Sequence, residues 1–127
     1  MNKSPPRAVN TAGNGTPNRM KPNEYQLVFT TCPDAAAAER IAQALVSEHH
    51  AACVNILPIA KSVYRWKGRV ESAAEQLLII KSLTRAFGDI RRRILELHPY
   101  ELPEIIAVPV ADGHPEYLAW IRDPDKP

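Results

Sequence analysis

The chain has 127 residues, 45% of them hydrophobic and 24% charged, enough for one domain with a real core and too few for two ordinary ones. No apolar run approaches the ~20 residues of a membrane span, and the basic opening segment leads into no hydrophobic stretch of the kind a secretory signal carries, so a cytoplasmic protein that needs no membrane is expected. The formal charge of +2 is unevenly split: residues 1–23 carry Lys3, Arg7, Arg19 and Lys21 and no acid, while the remainder has 12 basic and 14 acidic residues. The folded part is thus mildly acidic, and nucleic acid is not an expected partner.

Residues 1–23 hold four prolines, two glycines and little that could be buried. They read as a disordered basic tail that cannot offset its ordering entropy, with Met20 an alternative start. The domain is expected over 24–122, with 123–127 a short C-terminal tail. "YQLVFTT" is a β-prone run and predicts the first strand. Asp34 then offers an N-cap for "AAAAERIAQALVS", where Ala38, Ile41, Ala42 and Leu45 share one face. "ACVNILPI" reads as the second strand, and "SVYRWKGRVE" as a hairpin arm turning near Lys67-Gly68. "EQLLIIKS" is a short buried third strand. The second helix is expected from Thr84, with Phe87, Ile90, Ile94 and Leu97 as its apolar stripe. "EIIAVPVA" follows as the fourth strand, and "HPEYLAWIR" as a closing helix with Pro115 in its first turn.

This β-α-β-β-α-β order with a terminal helix predicts an α+β fold of ferredoxin-like type, with an antiparallel sheet of order 4-1-3-2. Strands 2 and 4 would be the edges. Pro58 and Pro109 fall in those two strands, and proline inside a strand is tolerated mainly at an edge.

The topology gathers Thr30, Thr31, Cys32, His98, Tyr100, Glu101 and Glu104 at the end where strand 1 finishes. Cys53 would lie at the opposite end, too far from Cys32 for a disulfide, and reads as a small buried hydrophobe. Two readings of "HPYELPE" at 98–104 stay open. Cys32, His98 and Glu101 form a plausible donor set for copper or zinc. Alternatively, His98 completes the carbonyl end of the second helix while Pro99 and Pro103 stiffen the passage into an edge strand. His49-His50 reads as a helix C-terminal turn and His114 as a loop residue. No nucleophile–base–orienter set and no phosphate-cradling glycine loop accompanies these residues, so an enzyme is not expected.

The motifs "AACVNILP", "SVYRWKGRVE", "LLIIKS", "HPYELPEIIAVPV" and "YLAWI", in that order and spacing, resemble the CutA family of divalent-cation tolerance proteins over residues 24–122. The resemblance implies a tight homotrimer in which the long hairpins contribute inter-subunit sheet, an architecture similar to that of PII signalling proteins. It also implies a role in tolerance of divalent metal, copper especially. The family's copper ligands are a strand 1 cysteine and two adjacent histidines ending helix 2. His98 matches the second histidine, whereas Leu97 replaces the first. The cysteine position is Thr30, so Cys32, two residues on and facing the same side, and Glu101 are the expected substitutes. A second expectation is a small anion held in an inter-subunit cleft by Tyr64, Trp66, Lys67, Lys81, Tyr100 and Glu104. A third is a scaffold whose assembly is itself the function.

Overall fold

In the computed structural model, which describes residues 24–126, strand β1 (Tyr25–Cys32) leads into helix α1 (Ala35–Ser47). The tail expected over 1–23 lies outside the described residues. The side chain of Asp34 accepts from the N–H of Ala37 at 2.8 Å and starts α1, as its N-cap position predicts. The helix ends with the N–H of His49 on Val46 O and that of His50 on Leu45 O. Together with a left-handed His49 (φ 65°) this is a Schellman ending with histidine where glycine is usual.

Strands β2 (Cys53–Trp66) and β3 (Arg69–Leu83) are longer than the sequence pattern suggests, because the buried runs and the hairpin arm are continuous. The arm turns at Lys67 and Gly68, both at positive φ, as a two-residue hairpin turn requires. The segment expected to open the second helix is instead a 3-10 turn over Thr84–Ala86, followed by α2 (Phe87–Leu97). Strand β4 (Ile106–Pro109) and helix α3 (Pro115–Arg122), with Pro115 at its start, complete the domain.

The four strands form one antiparallel sheet in the order β2-β3-β1-β4. Both strand prolines lie on edge strands, Pro58 within the register shift between Leu57 and Ala60 and Pro109 opposite Gln26. Along β1, Val28, Thr30 and Cys32 face the helices with Leu78 and Ile80 of β3 beside them. Ile41 and Leu45 of α1 and Ile90 and Ile94 of α2 close over that face, all fully buried. Each such aliphatic side chain contributes about 1.5–3 kcal/mol. A smaller cluster of Tyr25, Leu118 and Ile121 docks α3 at the opposite end of the sheet. Cys32 lies across from Gln76 and Cys53 across from Lys81, five residues further along β3. That is roughly 16 Å of strand, and both cysteines are free.

Candidate functional site

Helix α2 stops where the sequence says it must: Pro99 disfavours helical backbone at His98, and His98 is extended (φ −78°, ψ 136°) while its N–H still donates to Ile94 O at 2.8 Å. The turn sends the imidazole inward against the end of β1, leaving His98 only 8% exposed. Its Nδ1 accepts the backbone N–H of Tyr100 at 3.0 Å. Nε2 must therefore carry the proton it donates to Thr31 O at 2.7 Å. Both ring nitrogens are thus engaged within the chain.

Tyr100 tilts against the same ring, with centroids 4.8 Å apart, and its hydroxyl donates to Glu75 Oε2 at 2.8 Å. Partial burial, and then the Glu75 carboxylate beside it, push the phenol up to about 12. The other oxygen of Glu75 accepts from Ser62 Oγ at 2.5 Å. A polar chain thus runs Ser62–Glu75–Tyr100–His98–Thr31, drawing on both hairpin strands, the corner and β1. Sequence reasoning missed Ser62 and Glu75. The available signal was an acid standing at the first position of the buried run "EQLLII".

The proposed metal donors do not fit the ion. Cys32 is fully buried in the core, and burial, with Asp34 and Glu75 next in effect, pushes its thiol up to about 11, so it is no thiolate. His98 has no free lone pair, and Glu101 points to solvent. Among the described residues no group of three or more His, Cys, Asp or Glu side chains is placed to hold a metal. The topology does bring His98 and Cys32 to one end of the sheet, but as packing and hydrogen-bonding groups. Thr30, which the motif resemblance sets at the family's cysteine position, is fully buried with an unpartnered Oγ1.

The expected anion-binding set is divided within one chain. Tyr64 and Trp66 are exposed on the arm, Lys67 sits at its tip with Nζ 5.9 Å from the Trp66 ring, and Glu104 is exposed ahead of β4. Lys81 does not join them. It pairs with Cys53 at the far end of β2, 13 residues from Trp66 and roughly 40 Å along the strand. There its Nζ donates to the Tyr117 hydroxyl at 3.4 Å and lies 5.7 Å from that ring, with Tyr117 stacked on Trp120. An open groove of ≈ 380 Å³ near that end is lined by His49, His50, Arg85 and Asp89 among others. It is remote from the 98–104 corner.

An antiparallel sheet backed by two helices, a long two-stranded arm and a histidine-capped corner together define an α+β protein of the kind the motifs resemble. Residues 26–124 match the family described as "CutA1 divalent ion tolerance protein", and the chain belongs to that family. The divalent-cation tolerance protein CutA of Thermus thermophilus is 48% identical over 98 residues, covering 77% of this chain and 95% of the relative. Protein CutA of Mus musculus is 36% identical over 126 residues, or 92% of this chain and 71% of the relative. The crystal structure of CutA from Xylella fastidiosa superposes with a TM-score of 0.76 at 48% identity, covering 78% of this chain and 95% of that one.

Proposed function

We propose that the chain works as a cytoplasmic homotrimer in divalent-cation tolerance, with the arm and the 98–104 corner forming a cleft between subunits. The observation that carries this reading is the apolar surface one chain leaves in water. Val63 is 68% exposed and Val70 67%, Trp66 stands out beside them, and Leu57, Ile106 and Val108 are exposed along both sheet edges. An isolated two-stranded arm is marginal in water, and edge strands with apolar side chains invite pairing with another chain. The names of the relatives, divalent-cation tolerance proteins, supply the physiological context.

A buried Cys–His centre is no part of this reading. Contact with a divalent ion, copper being the ion to test first, is weak and made at the cleft surface, where Glu101 is an exposed donor. Sedimentation of the full chain at micromolar concentration should give three times the 14.1 kDa monomer mass; a stable monomer would overturn the proposal. Calorimetric titration with copper(II) should give shallow heats that Glu101→Gln reduces and His98→Ala does not. A steep isotherm abolished by His98→Ala would restore the imidazole as a ligand. The exposed Tyr64, Trp66 and Lys67 favour a second reading, a small-anion regulatory trimer. Thermal-shift screening against carboxylates and nucleotides tests it, and the absence of any shift would remove it.

A further inference from the structure

The hairpin leaves the body of the domain at one definable point. The pairing of β1 with β3 ends at Cys32 opposite Gln76, and β2 changes register between Leu57 and Ala60. From there a three-stranded sheet becomes a two-stranded ribbon in which residues 63–70 are all exposed. Glu75 stands at that boundary, 8% exposed, the one buried side chain among residues 60–77. A carboxylate removed from water is costly unless donors replace its hydration. Here Ser62 and Tyr100 supply them at 2.5 and 2.8 Å. Ser62 lies two residues beyond Ala60, the partner of Glu75, and so on the same side of the ribbon. Tyr100 comes from the corner, which the His98 ring fixes to β1 through Thr31.

We propose that Ser62, Glu75 and Tyr100 form a latch that sets the direction in which the arm leaves the sheet. The 98–104 corner thereby acts on the arm as a positioning element, and its histidine serves as the anchor of that element. A free two-stranded ribbon twists and swings more than a sheet does. The tyrosine hydroxyl ties its root to the body from outside the strand ladder. The latch is a contact within one chain and involves no ligand; where neighbouring subunits also hold the arm, it sets the direction in which the arm reaches them.

The test is backbone hydrogen–deuterium exchange on the full chain carrying Tyr100→Phe, which keeps the ring against His98 and removes only the hydroxyl. Amides over 61–73 should exchange about tenfold faster, the effect of one hydrogen bond to a charged group. Those of α1, α2 and the β1–β3 ladder should hold their wild-type rates. Ser62→Ala, a second mild variant, should accelerate the same segment. Unaltered exchange in the arm would overturn the proposal, because a latch made redundant by other contacts sets nothing. Uniform acceleration across the chain would overturn it too, since that marks a general loss of stability. Sedimentation of the wild type separately reports whether the trimer reading stands.

Discussion

Thr30→Val should stabilise this protein. Thr30 faces α1 and α2 between Val28 and Cys32 in the β1 pattern, fully buried, and its Oγ1 has no hydrogen-bond partner. Burying a hydroxyl without a partner costs roughly 1–3 kcal/mol by mutational measure. Valine has nearly the same shape and puts a methyl where the hydroxyl stands, so the cavity and overpacking effects of other core changes are small here. The β-branch that suits a strand is kept. For a domain of this size the gain corresponds to a rise in Tm of about 4 °C or more. Guanidinium and thermal unfolding should be compared at one fixed protein concentration, since an oligomer's midpoint depends on it. Thr30→Ser is the control: it retains the hydroxyl, loses the methyl and should destabilise. A neutral or destabilising Thr30→Val would refute the reasoning, for it would mean that the hydroxyl has a partner or that the site cannot take the methyl.

Three further outcomes follow from individual side chains. His49→Gly should stabilise by about 0.5–1 kcal/mol in denaturant melts, since left-handed backbone costs an ordinary residue about 1–2 kcal/mol and glycine's added chain entropy returns part of the gain. Thiol titration with a disulfide reagent at pH 8 should label half-buried Cys53 in the native protein, while Cys32, buried and with its thiol held near 11, should react only on unfolding. Hydrogen bonds from Arg93 hold the carboxyls of Glu48 and Glu96 below their ordinary value. Because those values are depressed in the folded state, the stabilisation is complete above about pH 4.5 and is lost as pH falls further. Acid melts of Arg93→Ala should therefore show a shallower loss than wild type as pH falls below about 4.5; matching slopes would exclude the pairing.

The fold was legible because each element carries its own local signal. Asp34 before an amphipathic run, Lys67-Gly68 between β-prone segments and Pro99 after a helix each act through short-range sterics or hydrogen bonding. The two strand prolines marked the edges because proline lacks the N–H an interior strand must donate. The apolar stripe of the second helix starts at Phe87, where α2 begins, whereas the expected start at Thr84 falls in a 3-10 turn, which residue type alone does not separate from a first α-helical turn. The candidate site was legible only as a place. Residues 98–104 do meet the end of β1, as the topology requires. What the imidazole does there depends on Thr31, 67 residues away in sequence, and on the N–H of Tyr100. Within one chain Lys81 stands apart from Lys67 because arm length sets that distance, and the length came from the fusion of two segments that read as separate.

Sequence alone determined the order of strands and helices, the turn, the edges and the family, since these rest on residue type at short spacing and on motifs in a fixed order. Only the tertiary structure decided what surrounds Cys32, Glu75 and His98. Burial sets the protonation of the thiol, and partners distant in the chain consume the lone pairs of the ring and the oxygens of the carboxylate. No periodicity records which remote donor will arrive beside a given acceptor, so a metal-ligand pattern and a hydrogen-bonded corner look alike until the chain is folded.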